Sequence, residues 1–143
     1  GVIPDDLMAR LQYPFVIRRG WVDDIIAELA SSDVFLVPTP IPLGVRVRIA
    51  YAWSLGSCVI AHQVNELGLP EMVHDHNALL GNNGRQVAEQ IIRAFEDSDL
   101  RRRLRLEARN TYETQFSNQV TGDKIFSVLE QTAAMGSQSG VRN

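Results

Sequence analysis

The segment of residues 38–61, PTPIPLGVRVRIAYAWSLGSCVIA, constrains the fold of this chain more than any other. It follows the short apolar run of residues 34–37 and opens with three prolines and Gly44. Proline lacks an N–H donor, so this opening is neither a helix nor a central strand. Residues 45–55 then carry apolar side chains at helical spacing, and residues 58–60 form a second apolar run. The pattern predicts a strand, a tight loop, a helix and a second strand.

A unit of this kind joins two neighbouring parallel strands through a right-handed crossover. Gly56 stands where the predicted helix would end in a left-handed cap. Open parallel sheets bind ligands beyond the carboxyl ends of their strands, where helices present free N–H groups and the positive end of their dipoles. The loop of residues 39–44 and the helix start at residues 45–48 fall at this edge. We therefore expect a binding site there.

Arg46 and Arg48 stand in the first turn of the predicted helix. A cation is electrostatically unfavourable at this end of a helix unless an anion lies nearby. The two arginines therefore indicate a phosphate or diphosphate site. In the alternative interpretation, both are solvated or paired with surface carboxylates, which contributes little to stability.

The rest of the chain continues the alternation of strands and helices. Its patterns predict strands at residues 15–17 and 78–80, a helix after Asp23 and Asp24, a short helical turn at residues 71–73, and three later helices, with Ser98 as the cap of the second and Ile125 on the last. The predicted fold class is α/β, with a small parallel, doubly wound (Rossmann-like) sheet followed by C-terminal helices. We expect one domain over residues 1–135 and a disordered tail at residues 136–143, which lack apolar anchors.

Length and composition narrow the function classes. The length suits one domain or half of a two-domain protein. A net charge of −3 gives no indication of nucleic-acid binding. No apolar run approaches the roughly 20 residues that cross a bilayer, and we expect no signal peptide. The single cysteine, Cys58, excludes a disulfide within the chain and suits a reducing cytoplasm. We predict a cytoplasmic protein.

Several short segments, taken in order and spacing, resemble a known family. Together they are similar to the C-terminal, donor-binding half of retaining glycosyltransferases of the GT-B fold, the family-4-like (group 1) enzymes. The resemblance covers most of the chain. Its segments are Gly20-Trp21-Val22, the strand ending in Val37-Pro38-Thr39, the Gly44 loop with the helix and strand after it, Gly68-Leu69-Pro70-Glu71-Met72-Val73 with Asn77-Ala78-Leu79-Leu80, and the closing helices between Asp97 and Phe116.

The resemblance implies a function. This half would bind a nucleotide-sugar, and the enzyme would transfer the sugar from that NDP-sugar to a carbohydrate or lipid-linked acceptor, as in polysaccharide biosynthesis, with no metal or cofactor. The acceptor domain would lie before Gly1. Because this family's catalysis occurs between two domains, we expect the isolated chain to be inactive. The implied donor-binding residues are Thr39, Leu43, Gly44, Val45, Arg46, Arg48 and Tyr51.

The chain departs from the family at its signature. The family's two glutamates, separated by seven residues, correspond to Leu43 and Tyr51. In the family the second glutamate accepts hydrogen bonds from the ribose hydroxyls, and the first faces the sugar. A Tyr51 hydroxyl can supply one such bond, whereas Leu43 can supply none. We interpret Arg46, Arg48 and Tyr51 as an alternative set of phosphate and ribose contacts. The competing interpretation is a degenerated pocket in a non-catalytic remnant or interaction module of the same fold.

Three further residues are candidates for the pocket. Trp21, at the end of the first predicted strand, either stacks on the nucleobase or packs as an ordinary aromatic side chain. His62 follows a strand and either faces the donor or makes a hydrogen bond within its loop. Glu71 either contacts the sugar or favours the start of a short helix.

Two charged clusters have alternative interpretations as well. His74, Asp75 and His76 resemble a metal cluster, but three adjacent loop residues rarely converge on one ion, and no metal site is predicted. The arginines of residues 101–109 either contact an anionic lipid surface, which would be a peripheral membrane contact, or form the solvated face of an amphipathic helix.

Overall fold

A three-stranded parallel sheet lies at the centre of the protein. The computed structural model of the chain describes residues 5–41, 44 and 46–139. The strands stand in the order β1-β2-β3, with Val37 opposite Ala61 and His62 opposite Gly81. Their bounds are Phe35–Val37 for β1, Val59–His62 for β2 and Leu79–Gly81 for β3.

Helices precede, connect and follow the strands. They are α1 (Asp5–Arg10), α2 (Ile25–Ala30), α3 (Val47–Ser54), α4 (Gly84–Glu96), α5 (Ser98–Gln115) and α6 (Asn118–Ser139), with a 3-10 helix at Gln63–Gly68. Helix α3 is the crossover between β1 and β2, so residues 38–61 form the predicted loop, helix and strand. Gly56 follows α3 with a φ of 64°, the left-handed conformation predicted for it. The predicted α/β fold class is therefore confirmed.

Apolar side chains cover the sheet on both faces. Val59 and Ala61 of β2 face one cluster, in which Ile49, Ala52 and Trp53 of α3 and Ala108 of α5 are buried. Ile60 of β2 points to the other face, where the second cluster includes Cys58, Leu79, Val87, Ala94, Leu100 and Leu104. Parallel sheets require cover on both faces, and α5 contributes to both layers. Helices on both faces of a small parallel sheet are the arrangement that the sequence predicts.

Side chains define the ends of several helices. Asp24 caps α2 by accepting a hydrogen bond from the Ala27 N–H at 2.9 Å. Asp97 caps α5 by accepting from the Leu100 N–H at 2.8 Å. The prediction that Ser98 is this cap was wrong by one residue, because the aspartate one position earlier has the extended backbone of a cap and takes the bond.

Residues 15–17 do not form the predicted strand. They lie in an irregular segment between α1 and α2, where the Val16 N–H donates to the Tyr13 carbonyl at 2.9 Å. Phe15 is 81% exposed and Ile17 is 77% exposed, so this run of apolar residues has no sheet to pack against. A β-branched run forms a strand only when a neighbouring strand accepts its hydrogen bonds.

The predicted helical turn at residues 71–73 is reduced to a single turn, in which the Met72 N–H donates to the Leu69 carbonyl at 2.9 Å. It does not continue as a helix, because the buried Asn77 takes the next backbone groups. Its Oδ1 accepts from the Val73 N–H at 2.8 Å and its Nδ2 donates to the Glu71 carbonyl at 2.8 Å. The same asparagine accepts at its own carbonyl from Trp53 Nε1 at 3.2 Å.

Helix α6 extends past the predicted domain boundary at residue 135 and ends at Ser139. Residues 140–143 lie outside the described residues, so the tail stays a prediction. Across the described part of the chain, no helix combines the length and apolarity that a membrane crossing requires.

Gly81 gives a test of the packing of α4 on β3. A Cβ atom at this position would lie 2.6 Å from the Val87 nitrogen and 2.8 Å from the Gln86 carbonyl carbon, both backbone atoms of α4. We expect Gly81→Ala to lower the free energy of unfolding by about 1–3 kcal/mol, measured by urea denaturation. Gly84→Ala is the matched control, since a Cβ there meets nothing within 4 Å. Equal denaturation midpoints for the two variants would contradict this packing.

The burial of Cys58 makes the stability of the protein depend on pH. Burial raises the pKa of its thiol, an effect that the nearby Arg101 and Arg105 partly offset. The folded state therefore keeps its proton while the unfolded chain loses it, so stability falls as the pH rises through the ordinary thiol pKa of about 8.5. We expect the stability difference between the native protein and Cys58→Ala to shrink between about pH 7 and about pH 9.5, as measured by urea denaturation. A stability difference that does not change with pH would show that folding does not raise the pKa of the Cys58 thiol.

Candidate functional site

The carboxyl ends of β1 and β2 meet at one edge of the sheet. Because the two strands are parallel neighbours, the loop after β1 and the 3-10 helix after β2 lie side by side. Thr39 is half-buried in the first loop, and Gly44 is exposed with a φ of 44°. Leu43 and Val45, two of the predicted donor-binding residues, lie outside the described residues.

Arg46 turns into the protein instead of toward solvent. It immediately precedes α3 and is only 6% exposed. Its Nε donates to Asn65 Oδ1 at 2.7 Å, and its Nη2 donates to the Ile41 carbonyl. Both acceptors are neutral groups, so Arg46 is neither solvated nor paired with a carboxylate in these contacts. The two bonds use two of the five N–H groups of a guanidinium.

Asn65 connects Arg46 to the end of β2. It is buried, and its Nδ2 donates to the His62 carbonyl at 2.6 Å while its Oδ1 accepts from Arg46. The orientation of its amide is thus set by the two neighbours, since oxygen must face the guanidinium and nitrogen the carbonyl. Arg46, Asn65 and Ile41 together fix the loop after β1 against the segment after β2.

His62 occupies both of its ring nitrogens within the protein. Its Nδ1 accepts a hydrogen bond from the Val64 N–H at 3.2 Å, which leaves the proton on Nε2. Nε2 lies 2.8 Å from the Asn82 carbonyl and donates to it. The imidazole therefore ties the end of β2 to the residue after β3, as in the loop interpretation of this histidine.

Arg48 and Tyr51 lie on α3 itself. Arg48 is exposed in the first turn of the helix, and Tyr51 is half-buried one turn later. Residues three apart share a side of a helix, so both belong to the same side of α3. Arg48 thus places an exposed cation at the carboxyl edge of the sheet.

Trp21 and Glu71 do not lie in the secondary-structure elements that the sequence predicts for them. Trp21 is 90% exposed, and the strand that was to place it does not form. Glu71 is half-buried and lies in the single turn from Leu69 to Met72, which does not continue as a helix. The described contacts do not join Trp21 to Arg46, Asn65 or His62. Glu71 contributes a backbone carbonyl to Asn77.

The loop at residues 74–76 is held by hydrogen bonds and ion pairs. His74 Nδ1 accepts from the Leu80 N–H at 2.9 Å, and the Asp75 carboxylate contacts Arg93 at 2.5 Å. His76 Nε2 lies 3.8 Å from the Glu107 carboxylate. Within the described residues, no three histidine, cysteine, aspartate or glutamate side chains are grouped so that they could hold a metal ion.

Sequence reasoning missed the two buried asparagines. Asn65 supplies the acceptor for Arg46, and Asn77 organises the segment from Glu71 to the start of β3. The residues around Asn65 and Asn77 in the sequence look like those around an asparagine in a surface turn. The one available signal was that Asn77 directly precedes an apolar strand, where a polar side chain needs a buried partner.

Comparison with known proteins agrees with this architecture. The family model for glycosyl transferases group 1 matches residues 3–97, which include all three strands, the loop after β1 and helix α4. Comparisons with curated proteins and with solved structures gave no match. Since the family match spans more than half of the chain and the fold is the α/β arrangement expected of it, the chain belongs to the glycosyl transferases group 1 family.

Proposed function

We propose that this chain is the donor-binding part of a glycosyltransferase and that it binds an NDP-sugar at the carboxyl edge of the sheet. The diphosphate lies against the loop of residues 39–44 and the first turn of α3. The observation that carries this proposal is the exposed Arg48, which stands with the first N–H groups of α3 directly after the loop that follows β1. Both groups attract an anion.

The reaction we propose is transfer of the sugar to a carbohydrate or lipid-linked acceptor. The bond between the sugar and the diphosphate breaks, and negative charge accumulates on the departing NDP. The N–H groups of α3 and the Arg48 guanidinium stabilise this charge, which is the largest contribution this part of the protein can make to catalysis. Thr39 and Tyr51 supply hydroxyl groups for the phosphate and the ribose. Polysaccharide biosynthesis in the cytoplasm is the setting we propose.

Arg46 has a positioning role in this proposal. Its bonds to Ile41 and Asn65 hold the loop after β1 in place before any ligand arrives. A loop that is already ordered loses less conformational entropy when the diphosphate binds. Arg48 therefore contacts the phosphates, and Arg46 shapes the loop around them.

A non-catalytic module of the same fold is the second candidate. Two observations favour it. The resemblance aligns Tyr51 with a glutamate of the family, and the Arg46 guanidinium is engaged within the protein. Such a module would keep the family's packing and bind no nucleotide.

Calorimetric titration with UDP, GDP and their sugars separates the two candidates. For the donor-binding function we expect saturable binding, which Arg48→Ala weakens by about tenfold or more because one charge-assisted hydrogen bond is lost. Arg85→Ala is the control, since Arg85 is also exposed in the first turn of its helix but lies on α4. Circular dichroism verifies that each variant is folded.

Two results would oppose the donor-binding function. A folded protein that gives no heat with any of these nucleotides would favour the module. Binding that Arg48→Ala leaves unaltered would show that the phosphates lie elsewhere.

A further inference from the structure

The amino edge of the sheet has a groove of its own, opposite the edge that holds residues 39–48. It encloses about 640 Å³ between the end of α3 and one side of α5. Asp33 and Gly56 in its wall precede β1 and β2, which places the groove at the amino ends of these strands. The other lining residues are Leu55, Ser98, Arg101, Arg102, Arg105, Leu106 and Arg109.

Four arginines of α5 converge on this groove. Arg101, Arg105 and Arg109 follow one another at intervals of four residues, about 6 Å along a helix, and Arg102 stands beside them. Like charges at this spacing destabilise a helix. The row therefore needs compensation from its surroundings.

Carbonyl oxygens at the ends of two other helices supply part of that compensation. Arg105 Nε donates to the Gly56 carbonyl at 2.8 Å, and Arg109 Nη1 donates to the Ser54 carbonyl at the end of α3. Arg101 Nη1 donates to the carbonyls of Ala94 and Phe95 in the last turn of α4, at 2.5 and 3.1 Å. These helix ends carry the negative pole of the helix dipole. They fix one edge of each guanidinium.

Carboxylates compensate part of the remaining positive charge, but an excess of positive charge is left. Arg102 Nη2 contacts Asp99 Oδ1 at 2.7 Å, and Arg109 Nε contacts Glu113 Oε1 at 2.6 Å. Asp33 is the acidic residue that lines the groove itself. Arg101 and Arg105 are bonded to neutral carbonyls. Each guanidinium carries five N–H groups, so donors remain beyond those that these bonds use.

We propose that this groove binds a small polyanion, a compound that carries two or more phosphate groups. Guanidinium groups recognise phosphate oxygens in a bidentate manner, and a row of them matches phosphates linked in sequence. The volume lies within the range of small-molecule sites, about 300–1,000 Å³. Because helix ends already hold the guanidinium groups of Arg101, Arg105 and Arg109, these side chains lose little entropy on binding. Leu55 and Leu106, the latter 66% exposed, offer an apolar surface for the remainder of the ligand.

Inorganic tripolyphosphate is the probe that tests this site, because it carries neither a nucleoside nor a sugar. Titration at constant ionic strength, followed by two-dimensional NMR of the labelled full chain, should give saturable shifts at the amides of residues 54–57 and 98–109. Arg102→Gln should weaken binding about tenfold, the loss expected for one charge-assisted hydrogen bond. Arg102 is the position of choice because its described bond is to the exposed Asp99, so its removal costs no helix-end contact.

Arg85→Gln is the matched control. Arg85 is an exposed arginine in a surface ion pair with Glu89 at 3.0 Å, and it lies outside the groove. Its loss should leave tripolyphosphate affinity unchanged. The proposal is overturned if no saturable shift occurs, if the shifts fall on residues 39–48 instead, or if both variants weaken binding equally. The last result would indicate diffuse attraction between charges. A negative result here does not decide the proposed donor site, because the nucleotide titration is assigned through Arg48→Ala and this titration through Arg102→Gln.

Discussion

The parallel pairing of β1 with β2 is the constraint on which the rest of this structure depends. Two parallel neighbours cannot be joined by a short turn, so the chain must pass over one face of the sheet, and α3 does so. The central strand β2 is then buried on both sides at Val59, Ile60 and Ala61, where only apolar side chains fit. The same pairing brings the loop after β1 beside the segment after β2, where Arg46 meets Asn65. The parallel pairing of β1 and β2 thus determines both the fold and the position of the candidate site.

A buried guanidinium normally requires a carboxylate, and Arg46 shows how it can be held without one. Its described partners are an amide oxygen and a backbone carbonyl, which satisfy donors without neutralising the charge. The positive charge therefore remains available to act on anything anionic near the first turn of α3. Arg48 adds an exposed charge two residues later. The carboxyl edge of the sheet therefore carries two positive charges close to the first turn of α3.

Strong periodicity made most of the fold predictable from the sequence. Strands β1, β2 and β3 show apolar runs, and helices α3, α4 and α5 show amphipathic spacing. Each of these elements formed within a few residues of its predicted place. The strand predicted at residues 15–17 did not form, because strand formation depends on a partner that local sequence does not reveal. The candidate site was less predictable. Helix position was enough to place Arg46 and Arg48 at the carboxyl edge of the sheet, but the direction in which Arg46 turns depends on Asn65, nineteen residues away.

Contacts between α5 and α3 also bear on the order in which the chain can fold during synthesis. Arg105 reaches a carbonyl 49 residues earlier in the sequence, and Arg109 reaches one 55 residues earlier. The strands and α3 leave the ribosome well before these arginines do. Until α5 follows, the end of α3 and its apolar side remain exposed to water and to other chains. The apolar cluster on this face of the sheet is therefore completed only when α5 packs against it. A nascent chain that stalls before Arg105 would expose these apolar side chains and would be a target for chaperones.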